Sequence, residues 1–269
     1  KNNIYLIEDA AQAPTSFYKN KAVGTFGDLG VFSFNEPKNF MTGEGGLIIT
    51  NNKKFAIKCR LIRNHGEAII KEDAQDIDLV NVVGYNFRMT EIHAAIAYVQ
   101  TKKRKRINSY REKNYNYLAK NIKDYFSDYL IPQKITHPES YYAYTASFKW
   151  NYADSNVHRD VIAEALIAEG IPVFKGYQRL MVDHPMFKRK IAFGQNHYPW
   201  MGNSINYENV NVENARKLVG KEFLGFLQMG YPNTTSDMDD ILNAFRKIIQ
   251  NIDLLRNRSR TNNNLNIGR

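Results

Sequence analysis

Near the start of the chain Ile4, Tyr5, Leu6 and Ile7 form an unbroken apolar run that leads into Asp9. A continuous run, unlike an alternating one, is how a strand covered on both faces of a parallel sheet reads. Such a strand needs neighbours that precede it, so the run predicts a place in mid-domain. Two further strands are predicted, LGVFSF at residues 29–34 and GLIITN at residues 46–51. Short apolar strands separated by glycine-rich loops predict an α/β sheet.

Residues 53–64 have a helical pattern. In GYNFRMTEIHAAIAYVQ, residues 84–100, Thr90 is followed by Ile92, Ala95, Ile96 and Val99 at helical spacing. The pattern continues through the basic run TKKRKR to about Leu118, predicting one long helix of the kind that carries a chain between domains. After it the composition resets. YYAYTASFKW (141–150) reads as a strand, and Ser155 or Asn156 as the cap of a helix carrying Val157, Val161, Ile162, Ala165 and Leu166 on one face and ending at Gly170. Another helix is predicted over residues 211–226. The last helix has Ser236 and Asp239 placed as a capping box, then Ile241, Leu242, Phe245, Ile248, Ile249 and Ile252. Residues 256–269 have almost no apolar side chain and are expected to be disordered.

A chain of 269 residues with 43% hydrophobic content can bury a sizeable core, which excludes a wholly disordered protein. No apolar run approaches the roughly 20 residues that span a bilayer, and the first residues form no signal core. The expected compartment is the cytoplasm, with no membrane partner. The single cysteine, Cys59, excludes an internal disulfide framework and a cysteine metal cluster. A net charge of +10 favours acidic partners: nucleic acid, an anionic membrane surface, or small phosphorylated ligands. Because the run Lys102 to Arg106 continues a helical pattern, it reads as a solvated helix face ahead of a nucleic-acid patch.

Ligands of parallel α/β sheets sit beyond the carboxyl ends of strands, where Asp9 stands. A carboxylate there can meet a cationic ring nitrogen or a metal, or cap the next turn. Gln12 follows three residues on and can face the same cavity from a tight turn. Lys38 lies five residues after Ser33, beyond the strand-breaking NEP, and leads into GEGG. A lysine so placed is either a solvated charge or, in a desolvated or cationic site, an amine able to form a Schiff base. The glycines let the backbone pack closely and re-enter the sheet.

In order, EDAAQA, GTFGDLGVFSF, K-x-x-x-x-G-E-G-G, RNHG and GYNFRMTEIHAA resemble the pyridoxal-phosphate-dependent sugar aminotransferases of the DegT/DnrJ/EryC1 group, over almost the whole chain to about Leu255. The resemblance implies the α/β type I aminotransferase fold, with residues 1–105 as the C-terminal part of the large cofactor-binding domain and residues 106–255 as the linking helix and small α/β domain. It implies a homodimer with active sites shared at the subunit interface. Lys38 matches the lysine that holds pyridoxal 5′-phosphate as an internal aldimine and then moves the proton. Asp9 matches the carboxylate that keeps the pyridine nitrogen protonated. Gln12 matches the partner of the ring hydroxyl oxygen, Ser33 a phosphate ligand, and Asn86 the phosphate ligand donated by the neighbouring subunit. His65, Arg88 and Tyr177 fall in loops that border the substrate in the family, where a structural role is the competing reading. No metal site is implied.

The family's N-terminal part, with its phosphate-binding loop and its ring-stacking aromatic residue, has no counterpart in these residues. The expected function is transfer of an amino group from L-glutamate to a keto group of a nucleotide-diphosphate-linked deoxysugar, by a ping-pong mechanism. Retention of Lys38, which histidine replaces in a related dehydrase branch, favours amino transfer. A keto-inositol acceptor and a truncated, catalytically incompetent binding relative stand as alternatives, and a duplex-binding role for Lys102 to Arg106 as a third.

Overall fold

The computed structural model describes residues 4–66, 82–133, 146–176, 179–194, 196–202, 204–227 and 229–256. These residues form two compact units, which follow one another along the chain at Glu112 and Lys113. Among the described residues no helix is long and apolar enough to cross a membrane.

The first unit is built on a sheet in which β1 (Ile7–Asp9) pairs parallel with β4 (Leu29–Ser33), and β4 pairs antiparallel with β5 (Gly46–Ile49). Between β1 and β4 runs a small hairpin of β2 (Phe17–Tyr18) and β3 (Lys21–Ala22). The strand predicted from Ile4 begins only at Ile7. Among the described residues β1 is an edge strand whose one neighbour is β4, so Ile4, Tyr5 and Leu6 are 80%, 72% and 54% exposed. Expected burial on both faces is therefore not found in this chain. Leu6 still continues the strand locally: its carbonyl accepts from the Asp28 and Leu29 N–H groups at 2.8 and 3.3 Å.

Helix α1 (Lys53–Arg63) follows, capped by the Asn52 side chain, which accepts from the Phe55 N–H; it buries Ile57 and Leu61. The single long helix expected from residue 91 is instead two, α2 (Glu91–Lys102) and α3 (Arg104–Tyr125). The break at Lys103 falls inside the basic run, where like charges three and four residues apart repel along a helix. Thr90 caps α2 as its position predicts. The apolar stripe of α2 is nevertheless open: Ile92, Ile96 and Val99 are 74%, 40% and 46% exposed, whereas Ala97 is buried with Phe34 and Phe40.

The second unit packs helices on an antiparallel sheet ordered β6 (Leu130–Pro132), β7 (Ala146–Trp150), β8 (Phe223–Phe226). Tyr115, Leu118 and Ile122 of α3 are buried here. The strand predicted over 141–150 is seen at Ala146–Trp150; its remainder lies outside the described residues. A short α4 (Tyr152–Ser155) ends at Asn156 in the left-handed conformation, which moves the next N-cap to His158, ahead of α5 (Arg159–Ala168). Neither Ser155 nor Asn156 caps α5, and the Trp150 indole N–H donated to the Val157 carbonyl at 2.9 Å fixes the intervening turn.

Past α5 come α6 (Pro185–Arg189) and α7 (Glu213–Lys217). The helix predicted over 211–226 is only this last turn, a wide turn at Leu218–Glu222, and then β8. Burial won over helical periodicity there: Leu224 and Phe226 are fully buried beside β7. The buried Arg159 guanidinium serves the turn, donating to the carbonyls of Lys175, Phe223, Val219 and Gly220 at 2.6–3.3 Å. Helix α8 (Thr235–Gln250) has its N-cap two residues before the predicted one, with Thr234 and Asp237 forming the capping box. Asp239 instead accepts from the Tyr117 hydroxyl at 2.6 Å, and α8 buries Met238, Ile241, Leu242, Phe245 and Ile248. The predicted disordered tail, apart from Arg256, lies outside the described residues.

Candidate functional site

In the parallel pair Asp9 stands opposite Val31, and the Ala10 N–H donates to the Val31 carbonyl at 2.9 Å. Side chains alternate along a strand, so Asp9, Val31 and Ser33 share one face of the sheet, at the carboxyl ends of β1 and β4. Gly46 is opposite Ser33 on β5. A Cβ there would come 2.9 Å from the Phe32 carbonyl oxygen, so the position next to Ser33 is kept bare.

Asp9 Oδ1 accepts from the Ala11 N–H at 3.0 Å, and the Ala13 N–H closes the following turn on the Ala10 carbonyl. Gln12 is carried by that turn, as the tight-turn reading of its spacing expects. Part of the Asp9 carboxylate thus caps its own loop, and an ionised carboxylate has further acceptor positions.

Ser33 Oγ accepts from the Asn35 N–H at 3.2 Å. From there residues 34–45 form a closed loop: the Phe34 N–H donates to Gly45, Thr42 to Phe34, and Lys38 to Asn35, each at 2.9 Å. The Asn35 amide donates to Glu44 Oε1 at 3.0 Å, and the Thr42 hydroxyl to the Glu44 carbonyl at 2.6 Å. Phe34 and Phe40 are 7% and 2% exposed, packed with Ala97, Met89 and Ile107. Half-buried Lys38 therefore sits between two anchored aromatics. Gly43 and Gly45 have φ of +90° and +139°, a backbone region that explains the GEGG of the sequence.

Asn86, His65 and Arg88 are gathered in a second group. Residues 85–88 cross the C-terminus of α1: Tyr85 donates to the Ile62 carbonyl, Phe87 to Arg63, and His65 to Tyr85, at 2.8–3.1 Å. Asn86 bridges Asn64, the C-cap of α1, and the Arg88 guanidinium donates to the Asn64 side-chain oxygen. Arg88 thus has one partner within the chain, the Asn64 side chain. Tyr177 lies outside the described residues.

Sequence reasoning passed over Glu8. Its carboxylate accepts from the N–H groups of Gly24, Phe26 and Gly27, at 2.7 Å for Gly24 and 2.6 Å for Gly27, tying the GTFG loop to β1. Burial pushes this carboxyl up, but the three N–H groups and the Lys21 charge outweigh it and hold it below its ordinary value.

The donor set fits pyridoxal 5′-phosphate: an acceptor-only carboxylate for a protonated ring nitrogen, a hydroxyl for the phosphate, and a primary amine, the first two on one sheet face beside a bare glycine. Residues 1–206 match the DegT/DnrJ/EryC1/StrS aminotransferase family. The UDP-4-amino-4,6-dideoxy-N-acetyl-beta-L-altrosamine transaminase of Campylobacter jejuni is 40% identical over 136 residues, covering 46% of this chain and 35% of the relative. A putative L-glutamine:3-amino-2,3-dideoxy-scyllo-inosose aminotransferase of Streptoalloteichus tenebrarius is 26% identical over 95% of this chain and 61% of its own length. The crystal structure of an aminotransferase from Psychrobacter cryohalolentis superposes with a TM-score of 0.71 at 24% identity, covering 93% of this chain and 63% of that one. The chain thus spans from about a third to three-fifths of the length of these proteins. On the family match, which takes in Asp9, Ser33, Lys38 and the residues 85–88 strap, the chain belongs to the DegT/DnrJ/EryC1/StrS aminotransferase family.

Proposed function

We propose that the chain carries the lysine-bearing part of an aminotransferase that moves an amino group from L-glutamate to a keto group of a nucleotide-diphosphate-linked deoxysugar. The observation that carries this reading is the placement of Asp9 and Ser33 on one sheet face with Lys38 in the loop that follows β4. The nucleotide-sugar substrate is supported by the 40% identity to the altrosamine transaminase. A keto-inositol acceptor is the second reading, favoured by the similarity to the scyllo-inosose aminotransferase along 95% of the chain.

Pyridoxal 5′-phosphate is the cofactor, and its protonated ring supplies an electron sink when bound. Asp9 holds the ring proton in place by charge. Ser33 donates its hydroxyl to the phosphate, Gln12 to the ring oxygen, and Asn86 reaches the phosphate of a partner subunit's site. The Lys38 amine, in the loop closed between Phe34 and Gly45, would attach the cofactor and carry the proton to and from the amine-bearing carbon. A homodimer is supported by the open stripe of Ile92, Ile96 and Val99 on α2, just beyond Asn86. His65 borders the substrate in this reading, and Arg88 acts by fixing the strap.

The test is amino transfer from nitrogen-15 glutamate to a nucleotide-linked 4-keto-6-deoxysugar, followed by mass spectrometry. Label in the sugar that disappears with Lys38→Ala supports the reading; label in an inosose alone selects the cyclitol acceptor. Multiple turnover retained by a folded Lys38→Ala protein would overturn the mechanism.

A further inference from the structure

The second unit contains an open pocket of about 510 Å³ lined by Lys188, Arg189, Lys190, His197, Trp200 and Met201 among others, within the roughly 300–1,000 Å³ of small-molecule sites. Its chemistry is one-sided: three consecutive cations face it with an asparagine and a histidine, and among the described residues no acidic side chain lines it. The nearby carboxylate, Asp183, is shared, lying 3.4 Å from Lys188 Nζ and also accepting from both Arg216 Nη atoms. One negative charge against two cations leaves the pocket net positive.

The cations stand on a built wall. Trp200 is only 8% exposed, its indole N–H donates to the Tyr207 hydroxyl at 2.8 Å, and the Phe187 ring meets both rings edge-on at 5.8 and 5.3 Å. His197 Nδ1 lies 3.1 Å from the Lys190 carbonyl oxygen. A carbonyl only accepts, so Nδ1 carries the proton and Nε2 is the nitrogen left for another partner. Basic residues at the end of a helix are favoured by its dipole, but α6 is a single turn and Lys190 is already past it, in the left-handed conformation with φ +52°. The helix end does not account for the third cation.

We propose that this pocket binds the diphosphate group of a small phosphorylated ligand, with Lys188, Arg189 and Lys190 as its cationic contacts and the Trp200 wall as its floor. All lining residues belong to the second unit, so the proposal stands apart from the Lys38 reading.

The test is calorimetric titration of the full chain with inorganic pyrophosphate and with a nucleoside diphosphate, in 50 and 200 mM salt. Four proteins are compared: wild type, Lys188→Ala/Lys190→Ala, Arg189→Ala, and a control, Lys103→Ala/Lys105→Ala, that removes two charges from the basic run. The pocket double variant should weaken pyrophosphate at least about tenfold, and Arg189→Ala, which leaves the Asp183 pairing intact, about threefold or more. The control should stay within about twofold of wild type. Equal weakening by the pocket and control variants would overturn the proposal in favour of the general positive field. Absence of pyrophosphate binding would also overturn it, as would pocket-dependent binding of duplex nucleic acid with neither small diphosphate bound.

Discussion

At the scale of single residues, the account rests on a division of labour between two adjacent acids. Asp9 caps its own turn and looks out from the strand end, while Glu8 turns the other way and gathers the N–H groups of Gly24, Phe26 and Gly27. Asp9→Asn keeps the shape and removes the charge; we expect turnover to fall about 10²-fold or more with cofactor still bound, by single-turnover kinetics. Glu8→Gln should instead lower the stability of the first unit by about 1–3 kcal/mol, read by urea unfolding. Because the folded Glu8 carboxyl lies below its ordinary 4.5, the ionised form is the one the fold favours. Its stabilisation is full above that value and is lost as the pH falls through the lowered folded value. The acid limb of the wild-type stability profile should therefore flatten in Glu8→Gln, and an unchanged limb would contradict the role given to the loop. The positions of Asp9 at a strand end and of Lys38 in the loop after β4 were legible in the sequence. Glu8 was not, because its partners are backbone groups about twenty residues away that carry no side-chain signature.

At the scale of elements, sequence periodicity located most helices and strands and misjudged their ends where a tertiary partner intervened. The capping box of α8 was shifted by two residues because Thr234 and Asp237 form the same pattern as Ser236 and Asp239, and Asp239 is drawn to Tyr117. Thr234→Ala should cost about 1 kcal/mol and Ser236→Ala much less, a difference that thermal unfolding would show. Residues 218–226 fall at the end of the helix predicted over 211–226. They leave it because Phe223–Phe226 completes a sheet and Arg159 satisfies the turn carbonyls. Arg159→Met strips those carbonyls of donors and should destabilise the second unit by about 3 kcal/mol or more in urea. A loss below about 1 kcal/mol would show that water replaces the guanidinium there. The α2 stripe was visible as helical spacing, but spacing alone does not say what a face packs against.

At the scale of the whole molecule, open apolar surface and the site belong to the same problem. Ile92, Ile96 and Val99 on α2, with Ile4, Tyr5 and Leu6 before β1, are among the apolar positions the sequence marks as covered and the structure leaves open. In the proposed homodimer the α2 stripe is buried, so Ile96→Glu should shift the protein toward monomer in sedimentation and reduce cofactor affinity through loss of the partner's Asn86. A mutant that stays dimeric would move the interface elsewhere. The family was legible from ordered motifs; the acceptor was not, since the described residues proposed to border it, His65 and the strap, mostly hydrogen-bond to one another. The most direct test of the central claim, that Asp9, Ser33 and Lys38 form one cofactor site, is an absorbance titration of the purified chain with pyridoxal phosphate beside Lys38→Ala. The account predicts a visible-range band that requires Lys38, weakens with Ser33→Ala and is bleached by glutamate. A band of equal strength in folded Lys38→Ala protein, or none in folded wild type, would contradict it.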